Sequence, residues 1–189
     1  MLLRRKLKDK LVRRLLLGAL LFGLVTSVYW TFSVELIAGN NRLSETSSVI
    51  FWMIVGIAGV AGGLAGDLVT RFGLARILKW ATLAIATSIA SLTVASEGML
   101  MLTISAVVFG ATFILIPALY GIWSVYCFPE APSLGFGLTF FLISAGQLVS
   151  PSLAGVGADL WKMTGVFQVT AIVCLGILLL LPTQDVRSI

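Results

Sequence analysis

The chain has 189 residues, 59% of them hydrophobic and only 11% charged, with a formal net charge of +5 and no histidine. Soluble domains average about 45–50% apolar and about 25% charged residues, so the composition excludes an ordinary soluble protein. Without histidine, and with its acids scattered, the chain lacks the parts for acid–base or metal catalysis; no enzymatic activity, cofactor or metal site is expected.

The charges leave six long gaps: residues 15–34, 46–66, 80–96, 98–129, 131–158 and 163–184 carry none. A membrane-spanning helix needs about 17–25 mainly apolar residues, and only helices or closed barrels satisfy their backbone in lipid. The gaps therefore predict an all-α polytopic membrane protein, a six-helix bundle with spans at about 15–38, 48–67, 78–95, 99–126, 135–157 and 165–182. Three domains follow: a basic segment 1–14, the transmembrane domain 15–182 and a tail 183–189.

In the first segment Leu3, Leu7 and Leu11 recur every four residues among basic side chains, the pattern of an amphipathic helix lying on a membrane surface. The apolar run that follows continues to Ala38, too long for a cleaved signal sequence. Seven basic residues lie in 1–14, three more are Arg71, Arg76 and Lys79, and Arg187 is in the tail; only Arg42 and Lys162 fall on the other side. The positive-inside rule then places both termini in the cytoplasm, and the expected location is the plasma (inner) membrane. The net charge is thus a signal of topology. No basic face remains for nucleic acid once the spans are removed, so the expected partners are the lipid bilayer and a small solute.

Within the first span, Gly23, Ser27, Thr31 and Glu35 form a four-residue ladder. Glu35 is the only acid inside a predicted span, Asp67 standing at the very end of the second. It reads either as a proton or cation site or as a group reaching the outer interface. Trp30 lies well inside the same span, where its ring N–H needs a partner or a wet cavity. Trp52, Trp80, Trp123 and Trp161 fall near predicted span ends, as interfacial anchors do. The second span carries Gly59/Gly63 and Gly62/Gly66, two small-xxx-small pairs that favour close helix packing.

Pro117 interrupts the fourth span and, with Gly121, predicts a bend beside a cavity. Tyr29, Trp30, Tyr120, Trp123 and Ser124 would make such a pathway aromatic; plain packing between neighbours is the alternative. Gln147, with Ser144 and Ser150 at i−3 and i+3, stands near the middle of the fifth span, suited to a polar substrate or to an interhelical bond. Cys127 and Cys174 suit small apolar packing positions.

Between the second and third spans, Gly66-Asp67-Leu68-Val69-Thr70-Arg71-Phe72-Gly73-Leu74-Ala75-Arg76 resembles the cytoplasmic loop signature of the major facilitator superfamily, roughly G-x-L-x-D-R-x-G-R-R. Gly66, Leu68, Arg71 and Gly73 match it. Thr70 stands where the family has an acid, Leu74 and Ala75 where it has a basic pair, and Arg76 comes one place later. Asp67, three residues before Thr70, is the nearest acid to substitute for the missing one. A second stretch, with Pro151, Gly155, Asp159 and Gly165, resembles the fifth helix of a family half and the turn that follows it. The resemblance implies a secondary transporter, with loop charges that help to hold its outward-facing state. The basic leading segment is similar to the linker before helices seven to twelve, so the chain resembles the C-terminal half of a twelve-helix permease. A half-length chain of this kind implies a truncated product, or a partner half supplied by another chain or by self-association. A non-transporting membrane scaffold or an inactive remnant is the alternative. No P-loop motif is present for ATP-driven pumping.

Overall fold

The computed structural model describes residues 6–38, 45–94 and 99–183, and these are helical with short turns and no strand. Helix α1 (Lys10–Ala38) starts at Asp9, whose side-chain Oδ1 accepts from the Leu11 amide at 2.8 Å and whose carbonyl accepts from the Arg13 amide at 3.0 Å. This satisfies amide donors that a helix start leaves open. At 1.5 Å per residue α1 is about 43 Å long, against a hydrocarbon thickness of about 30 Å. Its first turns, including Arg13 and Arg14, therefore project beyond the apolar layer. Lys10–Arg14 belong to α1 rather than to a separate surface helix; residues 1–5 of the basic segment and 184–189 of the tail lie outside the described residues.

The predicted second span is not one α-helix. Helix α2 (Glu45–Gly59) passes into a 3-10 segment, Val60–Leu64, and then into α3 (Ala65–Phe72). Four glycines within eight residues weaken the α-helical preference there. Gly62 presses on Ile114, so close that a Cβ would overlap that side chain. The charged connection expected between the second and third spans is also mostly helix. Only Gly73, at φ 83° and ψ 148°, separates α3 from α4 (Leu74–Val94). A left-handed φ at one glycine redirects the chain without a longer loop.

Helix α5 (Met99–Cys127) contains Pro117, and α6 (Pro132–Ile177) contains Pro151 and starts with Pro132 in its first turn. At 46 residues α6 would be about 69 Å long if straight, more than twice the apolar thickness. It breaks at Lys162, whose φ of 59° and ψ of 163° are not helical. Among the described residues five helical stretches, with Ser48–Phe72 taken as one, are long and apolar enough to cross a membrane, against the six spans predicted; the predicted fifth span and most of the sixth fall in α6.

Two reciprocal glycine–serine pairs join α1 to the first segment of α6. A Cβ on Gly23 would overlap the Ile143 carbonyl, and one on Gly146 would overlap the Leu20 carbonyl. One turn further along each helix, Ser27 donates to the Gln147 carbonyl at 2.9 Å and Ser150 donates to the Leu24 carbonyl at 2.6 Å. Small residues let the backbones meet, and the hydroxyls, each worth about 0.6 kcal/mol on average between membrane helices, then bridge them. Gly110 of α5 meets the Val55 carbonyl of α2 in the same close manner.

The core lies where α1, α4, α5 and the end of α6 converge. Tyr29 stacks on Phe109 with centroids 3.6 Å apart. Its hydroxyl is 2.9 Å from Ser105 Oγ, which in turn donates to the Ser88 carbonyl at 2.9 Å. Cys174 Sγ lies 3.8 Å from the Thr82 carbonyl; both cysteines are buried and free. Lys6 donates from Nζ to the Cys127 carbonyl at 3.1 Å, placing a positive charge at the C-terminal end of α5, where the helix dipole favours one.

Candidate functional site

The aromatic pathway expected from Tyr29, Trp30, Tyr120 and Trp123 does not form. Tyr29, Tyr120 and Trp123 are fully buried. Tyr120 lies over Gly18, its Oη 2.8 Å from where a Cβ would stand, and next to Phe22 and Trp123. Ser124 is buried too and bonds the Gly121 carbonyl of its own helix at 2.7 Å. Trp30 points the other way, 41% exposed. It stacks on Trp52 with centroids 4.5 Å apart and planes at 7°, and meets Phe113 edge-on at 5.1 Å. Residues adjacent in the pattern are thus divided between the core and the outside. Trp123 is no interfacial anchor either; Trp80 and Trp161 are exposed, and Trp52 is covered by Trp30.

The ladder on α1 is divided in the same way. Gly23 and Ser27 are spent on the contact with α6, while Thr31 and Glu35 are exposed. Arg14 and Glu35 are 21 residues apart, about 31 Å along the axis, close to the apolar thickness of about 30 Å. With Arg14 at one interface, Glu35 reaches the other.

Asp67, Thr70, Arg71 and Arg76 are exposed around the Gly73 break, and Leu68 is half-buried. The Thr70 hydroxyl donates to the Asp67 carbonyl at 2.7 Å, so it folds back onto its own helix. Of the glycines expected to pack, Gly59 meets Ile114, whereas Gly63, Gly66 and Gly155 face open space. Gly62, expected to pack as the partner of Gly66, makes the tightest contact with Ile114. Pro151 is half-buried within α6.

Gln147 and Pro117 do come together. They line one groove of about 720 Å³ between α5 and the first segment of α6, with Ser144, Phe113, Phe136 and Phe140 among its walls. Gln147 is 15 residues from both Pro132 and Lys162, about 22 Å each way, which puts it midway along that segment. Pro117 brings no amide for the Phe113 carbonyl one turn back, so an acceptor is released beside the groove. Gly121 leaves room for Phe136, whose Cε2 lies 2.9 Å from where a Cβ would stand. Phe136 stacks on Phe140 at 4.4 Å. Ser150, expected beside Gln147, is turned onto Leu24 instead.

A smaller groove of about 200 Å³ lies between α1 and α6 and contains Ser150 and Thr170. Both hydroxyls are already used on backbone carbonyls, Thr170 on Val166 at 2.7 Å, so that groove presents little polarity. Among the described residues no three His, Cys, Asp or Glu side chains come together to hold a metal. The sequence reading missed the α1–α6 contact and the Tyr29–Ser105–Ser88 chain. The repeated Gly-x-x-x-Ser spacing at 23–27 and 146–150 was the available signal for the former; nothing local pairs Tyr29 with Ser105.

Comparison with known proteins adds the family. No curated protein matches the chain. A family model described as "Uncharacterised MFS-type transporter YbfB" matches residues 4–183, nearly the whole chain, and it agrees with the long apolar helices and with the motif around Arg71 and Gly73. The chain belongs to this family of major-facilitator-type transporters.

Proposed function

We propose that this chain carries a small solute across the plasma membrane as a secondary transporter, and that the α5–α6 groove is its wall of the pathway. One observation carries the reading: the groove places Gln147, midway along its helix, beside Ser144 and the Pro117 interruption. Polar groups at that depth are costly in lipid and mark pathways, and transporter sites lie near the midplane beside interrupted helices. Trp30 and Glu35 are outlying candidates at the outer end of α1, and Tyr120 belongs to the packed core behind the wall.

Six crossings with both termini in the cytoplasm follow if α6 crosses twice, turning at Lys162. Six helices form one side of an alternating-access site; the second side is a further six-helix half or a second copy of this chain. The loop around Gly66, Asp67, Thr70, Arg71, Gly73 and Arg76 then faces the cytoplasm. Thr70, bonded to its own helix where the family has an acid, favours the second reading: a scaffold that keeps the fold without the transport cycle.

The test is uptake into proteoliposomes from a mixed pool of small metabolites, read by mass spectrometry. At least one solute should accumulate above empty liposomes, and Gln147→Leu should cut its uptake by about tenfold, the scale of one lost hydrogen bond in a dry site. A folded chain that moves nothing favours the scaffold.

A further inference from the structure

We infer that the α5–α6 groove takes a neutral, largely apolar or aromatic solute carrying a single hydrogen-bonding group, rather than a sugar, an anion or an amino acid. This rests on the groove being the transport wall proposed above, and it narrows what that wall can recognise. The lining is mainly aromatic and aliphatic: Phe113, Phe136 and Phe140 supply flat ring surface, and none of the twelve lining residues carries a charge. Its polar side chains are Ser144, exposed, and Gln147, half-buried. The shortage of polarity extends through the fold: apart from the ring O–H and N–H groups of Tyr29, Tyr120 and Trp123, the buried polar side chains among the described residues are Ser and Thr. Most of these hydroxyls are committed: Ser27, Thr112, Ser124, Thr139 and Ser150 all bond backbone carbonyls.

The energetics of desolvation turn this lining into selectivity. A sugar loses water from five or so hydroxyls on entry, and each one left unpaired costs about 1–3 kcal/mol. An anion needs a paired or coordinated charge in a dry site, and this wall offers none. A flat apolar body instead gains from the area it buries against the rings. One N–H, O–H or carbonyl on that body suffices for the Gln147 amide, which both donates and accepts.

The experiment uses the full chain in proteoliposomes, with Ser144→Cys as a reporter of groove occupancy and indole as the probe, a neutral aromatic with one N–H. Maleimide labelling of Ser144→Cys should slow by about threefold once indole reaches twice its Kd, because the free fraction falls as 1/(1 + [L]/Kd). Glucose and inorganic phosphate should leave it unchanged. Adding Gln147→Leu to the reporter should weaken protection by indole roughly three- to tenfold, as loss of one hydrogen bond does. Protection by glucose or phosphate but not by indole overturns the solute class and leaves the groove as a transport wall. A reactive Ser144→Cys that none of the three protects overturns the solute class, whereas one no more reactive than Leu83→Cys overturns the groove as a transport wall. Equal slowing at Leu83→Cys on the outer face of α4 means that indole acts through the lipid, and also overturns the inference.

Discussion

Gly23 and Gly146, like Gly110, are positions at which the bundle tolerates least, because a single methyl on any of them would strike a backbone carbonyl of the facing helix rather than a side chain that can turn away. Gly155 is their opposite, a glycine inside α6 with no neighbour near its missing Cβ. Gly23→Ala should therefore destabilise the solubilised protein by about 1–3 kcal/mol, the usual scale of overpacking. Gly155→Ala should stabilise it by about 0.5–1 kcal/mol through helix propensity. Thermal unfolding in detergent reads both; equal shifts would contradict the α1–α6 contact. This contrast was only half legible in the sequence. Spacing identified glycine pairs suited to close packing, but Gly62 and Gly63 have almost the same neighbours in the chain. Which of them meets Ile114 depends on how α2 is rotated against α5, and no local pattern records that rotation.

Helix positions were more legible than the breaks between them. Charge-free gaps located every long helix, since a charge in lipid is costly wherever it falls. They missed that α3 runs on to Phe72, because Asp67 and Arg71 are tolerated on a helix once it leaves the apolar layer. They also left a loop between the second and third spans where Gly73 alone makes the turn. The break at Lys162 is of a different kind, with φ at 59° in a residue that has a Cβ. That region of backbone space is essentially restricted to glycine and costs about 1–3 kcal/mol otherwise. Lys162→Gly should raise the unfolding free energy by about 1 kcal/mol, which is the relief of strain less glycine's greater freedom when unfolded. A loss of stability would mean that α6 does not turn there.

For the whole molecule, sidedness connects the fold to function. Arg76 and Lys162 are both exposed, and native Cys127 and Cys174 are buried, so single cysteines at the first two positions report cleanly. Arg76→Cys should react with a membrane-impermeant maleimide only in inside-out vesicles, and Lys162→Cys only in right-side-out ones. Reaction of both from one side would contradict six crossings. The class of molecule was legible from composition, and its family from the residues around Arg71 and Gly73. The site was less so. Gln147 and Pro117 stood out singly, but the groove between them depends on how α5 and α6 are paired, and of the two aromatics assigned to one pathway Tyr120 is buried in the core while Trp30 is exposed.

The most direct measurement concerns the groove itself. Ser144→Cys lies about 18 Å along α6 from Pro132 and within one turn of Gln147. If the α5–α6 face is the wall of a pathway that opens to water between turnovers and closes dry around its solute, a charged, membrane-impermeant maleimide should label it in intact vesicles, more slowly than Arg76→Cys but well above Leu83→Cys. Labelling no faster than at Leu83→Cys, in a protein whose Arg76→Cys reacts normally, would mean that the face meets lipid and that this wall carries no solute.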